Sequence, residues 1–388
     1  MAAQPLKCLF VSPVVPWPAD SGGRVRTFQL LAELCTRAEV HLRAVHESAA
    51  AAAGISRFEG RCASAKSFER APPGVWSTAT RPKLERWFHS PALQAALADD
   101  LARERFDLVH LDEMFLVRAL PKQLATPVIV HHHKLDTDFY QRLSRAGGAA
   151  AVFDNFKLQR LEAEAARRTR YHVLTNAAEA REFERRYPSV ESAVVESGFD
   201  PSVHAQPSEA RAPDQLLFLG SLDYAPNIDG LTWFVREVFP AIVAQRPNVC
   251  LNVVGSGSID AVRALAGKGV NMIGRLDDVG PSLARASALV VPLRIGGGTR
   301  LKIVEAMGAQ TPVVSTRIGA DGLDFAEPEH LWLADSAEDF AARTLEVLRD
   351  PAAAAQRALR GRELALQRYT WKQLAEKLLG AWQRAAGG

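Results

Sequence analysis

The sequence predicts an α/β fold of two doubly wound, Rossmann-like parallel-sheet domains facing across a cleft. Three observations predict it. Short apolar, β-branched runs alternate with amphipathic stretches along the chain, the pattern of parallel strands covered by helices on both faces. The alternation lapses once, in "FDPSVHAQPSEARAPD" at 199–214, a stretch rich in Pro, Ser and Ala, and then restarts with the same grammar. A chain of 388 residues is also too long for one typical core and suits two. The expected boundaries are 1–200 for the first domain, 201–213 for the linker, 214–368 for the second domain and 369–388 for a final helix.

The elements follow in order. "KCLFVSP" is a strand because its apolar residues run together, and "RVRTFQLLAELCTR" a helix because its apolar positions fall on one face. "EVHLRAVHE" is a strand, "PALQAALADDLARE" a helix, and "FDLVHLD" and "TPVIVHHH" are strands. A long charged helix lies within "AVFDNFKLQRLEAEAARRTR". The strand "YHVLTN", the helix "AAEAREFERRYP" and the strand "ESAVVES" complete the half. In the second half "QLLFLGS", "VCLNVVGSG", "VNMIGRL", "ALVVPLR" and "TPVVST" are strands. The helices between them are "IDGLTWFVREVFPAIVAQR", "SIDAVRALAG", "DVGPSLARAS" and "TRLKIVEAMGAQ", and the last helices fall beyond Ala337. In such sheets ligands collect beyond the carboxyl ends of the strands.

Hydrophobic content of 47% with 23% charged residues marks a soluble globular chain, not a disordered or fibrous one. The formal net charge of +3 is too small to argue for nucleic acid, so none is expected as a partner. Arginine dominates the first half, as in "AARRTR" and "EFERRYP". Two readings stand: an ordinary solvated surface, or a basic face that meets anionic lipid or a phosphorylated acceptor. The four cysteines, Cys8, Cys35, Cys62 and Cys250, are scattered without a CxxC or a zinc spacing and read as reduced core residues. No apolar run is long enough to span a bilayer, and the opening "MAAQPLKCLFVSPVVP" fits a first strand better than a signal peptide. The expectation is a cytoplasmic protein, with any membrane contact peripheral at the inner face of the cytoplasmic membrane.

The stretch that carries chemistry is "VVPLRIGGGTRLKIVEAMGAQTPVVST". A buried strand runs into a three-glycine turn, Gly296 to Gly298, and a helix opens directly after it. Glycines permit close backbone approach, and the unpaired amides of a first helical turn favour an anion. Arg300 and Lys302 add two cations there, and arginine suits two phosphate oxygens at once. Glu305, about one turn further in, is placed to accept hydrogen bonds from vicinal sugar hydroxyls. A diphosphate linked to a ribose meets all three features. On composition alone a glycine-rich loop with ordinary surface residues stands beside it.

"GGGTRLKIVEAMGAQTPVVST" closely resembles the signature of retaining glycosyltransferases of family 4, which have the GT-B fold, in the branch that reads "GGGTRLK". "LLFLGSLDYAPNIDGLTWFVREVFPAI", "LNVVGSG" and "VNMIGRLDDV" resemble the family's donor-domain segments. "RYTWKQLAEKLLGAW" resembles its final helix, which crosses back to the first domain. The resemblance implies a donor site for a nucleotide diphosphate sugar. Glu305 matches the second glutamate of the Glu-x7-Glu motif and by that match binds the donor's ribose. The first glutamate is replaced by Gly297, so donor-sugar contacts fall to backbone amides at Gly297, Gly298 and Thr299 or come from elsewhere. After "FLG", where the family has an arginine and then a lysine, this chain has Ser221, with Asn227 and Asp229 further on. Arg300 and Lys302 are expected to supply that charge. Arg275 and Leu276 match the loop whose backbone reads the base.

In the first half "SPVVPWPADSGGRVRTFQLLAEL" sets Gly22 and Gly23 between a strand and a helix. Alone this is a turn and a cap. The resemblance makes these glycines approach the donor phosphate and reacting sugar, with Arg24 and Arg26 at the mouth of the cleft on the acceptor side. Three consecutive histidines end "TPVIVHHH"; adjacent side chains on a strand point to opposite faces and cannot share one metal ion. The resemblance aligns His133 with the histidine and Asp136 with the acid of the family's "HNxE" stretch, and gives His133 a contact to the donor sugar near the reacting carbon. His110, Asp112 and Glu113 end the preceding strand and are candidates for holding an acceptor hydroxyl. Glu196 and Gly198 in "VVESGFD" stand where many relatives read "PNGVD" and are expected to face the cleft.

The resemblance therefore implies a retaining glycosyltransferase that moves a sugar from a nucleotide diphosphate sugar to a saccharide, lipid-linked or other hydroxyl acceptor, in polysaccharide or glycoconjugate biosynthesis. Arg300, Lys302 and the helix-start amides stabilise the departing phosphate, with no protein nucleophile, no metal and no cofactor expected. No carboxylate pair suits a two-carboxylate glycosidase. A dinucleotide-dependent oxidoreductase is a rival, but "VVGSGSID" puts Asp260 where the fingerprint needs its third glycine. A nucleotide-sugar-binding protein without transfer activity, raised by Gly297, and an epimerase of the same fold are the others.

Overall fold

The apolar runs of the first half become parallel strands, and the inner ones are buried on both faces, as in β1 (Lys7–Ser12), where Cys8, Leu9 and Val11 have no exposed surface. The computed structural model describes residues 5–72, 80–144, 148–203, 211–257, 265, 267, 269–298 and 300–387. Among these, β1, β2 (Glu39–His46), β3 (Ser64–Glu69), β4 (Leu108–Leu111), β5 (Val128–His131), β6 (Tyr171–Leu174) and β7 (Glu191–Val194) form one parallel sheet. Its order is β3-β2-β1-β4-β5-β6-β7. β3 is not among the expected strands. "SAKSFE" has no apolar run because it is an edge strand and none of its residues is fully buried.

The second sheet runs β10-β9-β8-β11-β12-β13 and is also parallel. Its strands are β8 (Gln215–Leu219), β9 (Cys250–Val254), β10 (Val270–Gly274), β11 (Ala288–Val291), β12 (Val313–Ser315) and β13 (Trp332–Leu333). Alternate residues divide between two cores: Leu216, Phe218, Leu251, Val253 and Val290 on one face, Leu217, Leu219, Val254, Leu289 and Val291 on the other. That division is the period of a strand with helices on both sides. β13, two residues long, was beyond reach of any periodicity. The helix expected over "IDGLTWFVREVFPAIVAQR" runs as Ala225–Trp233, a π turn at Phe234–Val238 and Phe239–Gln245. Pro240 lacks the amide that would continue the ladder there.

The chain divides into one unit of Met1–Glu196 with Lys372–Gly388 and a second of Ser197–Trp371. The final helix, Trp371–Gly387, thus lies almost wholly in the first unit. There Trp382, fully buried, donates from Nε1 to His110 Nδ1 at 3.0 Å. Residues 204–210 of the expected linker, and 258–264 of the expected helix "SIDAVRALAG", lie outside the described residues. The cysteines are free, and the fold brings two of the scattered thiols together, Cys35 and Cys62, with sulfurs 3.1 Å apart. Among the described residues no helix is long and apolar enough to cross a membrane.

Candidate functional site

In the first unit the strand order reverses between β1 and β4, the place where a doubly wound sheet opens beyond its strand ends. Asp112 and Glu113 follow β4, His132 and His133 follow β5, and the helix Gly22–Leu34 comes after β1. His133 is the partly accessible member of the histidine run, while His131 and His132 are buried. His133 donates from Nε2 to Asp112 Oδ1 at 2.9 Å, and its Nδ1 stands 3.7 Å from Glu113 Oε1. Gly23 lies against the same ring: a Cβ there would be 3.3 Å from His133 Nδ1. Gly22 has open space where its Cβ would stand.

Asp112 is buried and orients this histidine. Its Oδ2 accepts from Thr27 Oγ1 at 2.7 Å and, more weakly, from Ser12 Oγ at 3.4 Å. Burial opposes a charge on His133, but Asp112 and Glu113 outweigh it and hold the pKa above the ordinary imidazole value. Burial also opposes ionisation of Asp112, yet the His133 charge and hydrogen bond hold it below the usual carboxylate value. Burial dominates at Glu113 and pushes its carboxyl up to about 8.

Several expected roles change here. Arg26 is not at a cleft mouth: it is 2% exposed, and its guanidinium donates to the carbonyls of Glu196 and Val195 and, at 2.6 Å, to His131 Nε2. Burial lowers its pKa to about 10. Arg24 pairs with Asp20 at 3.0 Å and with Glu47 at 3.7 Å. Asp136 is buried in an ion pair with Lys134 at 2.8 Å. Asp112, expected to hold an acceptor hydroxyl, is buried and engaged by His133, Thr27 and Ser12. Glu196 pairs with Lys377 at 2.9 Å, and Gly198 is buried.

The three histidines divide as strand alternation requires. His132 bonds His172 at 3.0 Å and packs on Phe183, away from His131 and His133. His110, Asp112 and His131, from two adjacent strands, bring ligand-type atoms within 4.8 Å of one another, a grouping that the sequence spacing did not reveal. The Arg26 guanidinium beside His131 sets a fixed positive charge there, which opposes a second cation.

In the second unit the order reverses between β8 and β11. The glycine loop follows β11 and leads into the helix Leu301–Gly308. Ile303, Val304, Ala306 and Met307 are fully buried, each large side chain contributing about 1.5–3 kcal/mol of burial, and they fix the helix's rotation. Lys302 and Glu305, three residues apart, share the other face. Lys302 donates from Nζ to Asn227 Oδ1 at 3.0 Å and sits over the Phe218 ring. Asn227 in turn donates from Nδ2 to the Ser221 carbonyl at 2.9 Å. Burial first, and the Arg300 charge second, lower the Lys302 pKa to about 7.

Arg300 caps this helix and donates to the carbonyls of Gly297 and, at 3.0 Å, Gly298, so it braces the glycine loop. Gly296 lies beneath it, and a Cβ there, 1.7 Å from Arg300 Nη2, would push the guanidinium aside. Gly298 has φ 70°, a conformation that favours glycine. After β8 and β9 two glycines meet: a Cβ on Gly255 would lie 1.8 Å from the Gly220 carbonyl oxygen. Ser221 follows that contact, while Asp229 pairs with Arg294. Arg275 is exposed with Leu276 half-buried beside it. Thr299 lies outside the described residues.

Residues 213–350 match the family described as "Glycosyl transferases group 1". The match lies wholly in the second unit and spans its glycine loop. The chain is 31% identical over 188 residues to a phosphatidyl-myo-inositol mannosyltransferase of Mycobacterium tuberculosis, covering 44% of this chain and 47% of that protein. It is 29% identical over 140 residues to an uncharacterized 44.6 kDa protein in the cps region of Klebsiella pneumoniae, covering 32% and 35%. The chain thus spans about half, or less, of the length of these curated relatives. Among solved structures it is similar to Anabaena HepE in complex with UDP, at TM-score 0.70 and 15% identity over 98% of this chain and 100% of that one. It is also similar to sucrose-phosphate synthase from Thermosynechococcus elongatus, at TM-score 0.74 and 18% identity over 97% and 98%. The fold of the chain, two Rossmann-like parallel sheets, is that of GT-B glycosyltransferases.

Proposed function

We propose that the protein is a retaining glycosyltransferase that moves a sugar from a nucleotide diphosphate sugar to a hydroxyl acceptor. The observation that carries this reading is the glycine loop and helix at the second sheet's reversal point, with Lys302 and Glu305 on one face, inside the span that matches glycosyl transferases. The helix-start amides and the Lys302 ammonium receive the diphosphate, and Glu305 the ribose. Arg300 acts on the phosphate through the loop it braces. His133, held by Asp112, hydrogen-bonds the sugar near its anomeric carbon. The anomeric carbon–oxygen bond to phosphate breaks, the acceptor hydroxyl bonds that carbon on the same face, and its proton passes to the departing phosphate. Ser221, Arg275, Leu276 and the backbone at Gly297 and Gly298 complete the donor set. The UDP and UDP-glucose complexes of HepE make uridine diphosphate sugars the first donors to test.

A membrane-borne acceptor fits the surface of the first unit. Val152, Phe153 and Phe156 are each more than half exposed on one face of the helix Gly148–Arg168, and Arg160 lies against the Phe156 ring, while Lys157 beside Phe153 is buried and pairs with Asp154 at 3.4 Å. Exposed apolar side chains beside an arginine suit an anionic bilayer surface. This agrees with a lipid substrate in the name of the mycobacterial relative and with work at the inner face of the cytoplasmic membrane.

The test is a thermal-shift screen with UDP, GDP, dTDP and ADP and their sugar conjugates, on wild type, Lys302→Met and Glu305→Ala. One base family should raise the melt of the wild type, and both substitutions should reduce that rise. Unchanged shifts in both variants sink the donor site. Donor consumption only in the presence of an acceptor separates transfer from binding alone and from epimerisation.

A further inference from the structure

We propose that Glu113 contacts the donor sugar directly, its carboxyl and His133 Nδ1 together holding one sugar hydroxyl. The inference rests on the role given to His133 above and adds a residue that no motif marks. Glu113 is 7% exposed, and its Oε2 has no hydrogen-bond partner among the described residues, whereas the adjoining Asp112 has His133, Thr27 and Ser12. Its Oε1 stands 3.7 Å from His133 Nδ1, too far for a direct bond and near enough for one hydroxyl oxygen beside both groups to join them. Gly23 borders the same nitrogen without a side chain to cover it.

The backbone makes the same point. Glu113 has φ 135° and ψ 143°, a region open to glycine and costly for any other residue. Such outliers cluster at active sites and ligand clamps. At Glu113 a strained backbone and a buried oxygen without a partner coincide. Burial pushes the Glu113 carboxyl up to about 8, and in its protonated form it both donates to and accepts from a hydroxyl.

The experiment is isothermal titration of wild type, Glu113→Gln and Glu113→Gly with UDP, GDP, dTDP, ADP and a sugar conjugate of each, together with thermal melts. Glu113→Gly relieves the backbone and should melt roughly 2–4 °C higher than wild type. Its nucleotide Kd should stay within about twofold, while its affinity for the preferred sugar conjugate falls about tenfold. Glu113→Gln, which keeps the shape, should lose about threefold. A glycine variant that keeps the sugar-dependent affinity overturns the proposal, whatever its melt. If that variant melts lower, the glutamine variant decides: full affinity overturns the contact, reduced affinity upholds it. A wild type that binds a nucleotide but gains nothing from any sugar overturns the sugar contact of Glu113 and His133 and leaves the nucleotide site standing. A wild type that binds none of the ligands removes the transferase reading and this role with it.

Discussion

The two sheets reverse at corresponding places, β1 beside β4 and β8 beside β11, and fill those places with opposite chemistries. The first is packed with ionisable side chains that hold one another: Arg26 on His131, Asp112 on His133, Glu113 close by. The second is mostly backbone, glycine against glycine at Gly220 and Gly255 and a glycine loop braced by Arg300, with Lys302 as its inward ammonium. A side-chain network fixes the direction of a few hydrogen bonds, as recognition of a sugar hydroxyl requires. Absent Cβ atoms let backbone come close, which a bulky anion at a helix start requires. One topology thus carries two kinds of chemistry.

The comparison breaks most visibly at Arg26. Arg26→Met leaves two backbone carbonyls and His131 without their donor and should cost about 3–5 kcal/mol in urea unfolding, the cost of breaking a buried charge network. Arg26→Lys should restore little of it, because an ammonium lacks the planar fork. A loss under about 1 kcal/mol would show that the network is not interlocked.

Lys302 sharpens the contrast through pH. Its folded pKa, about 7, is below the unfolded value of 10.5, so the unfolded chain binds the extra proton between those limits. Stability should therefore rise as pH increases from about 7 to 10.5, and Lys302→Met should flatten that rise. A bound diphosphate favours the ammonium, so binding takes up a proton and nucleotide affinity should fall by up to about tenfold per pH unit above 7. Titration in buffers of different ionisation enthalpy reads that proton. Affinity independent of pH from 7 to 9 would remove Lys302 from the phosphate site.

The smallest expected effect is at the surface. Phe153→Ser with Phe156→Ser should lower partitioning onto phosphatidylglycerol vesicles about tenfold with the melt unchanged. Equal partitioning of variant and wild type would leave the patch without a membrane role.

Much of this was legible in order and little of it in depth. The strands from "KCLFVSP" to "TPVVST" were readable because apolar runs are local, and β3 was not because an edge strand needs no such run. The glycine loop and His133 were visible as motifs. Glu113 was visible as an acid at a strand end, but nothing in "LVHLDEMF" signals a positive φ. Arg26 reads as an exposed helical arginine, since arginine is rarely buried, until Val195 and Glu196 supply its acceptors.

By itself the sequence determined the alternation of strand and helix, the two sheets and the positions of the flexible glycines, all properties of neighbouring residues. The tertiary structure alone decided which charges lie inside and what they touch. Arg26 meets the Glu196 carbonyl across 170 residues, and Lys302 meets Asn227 across 75. Burial, and with it every shifted pKa in the two sites, is set by segments far apart in the chain, which no local pattern encodes.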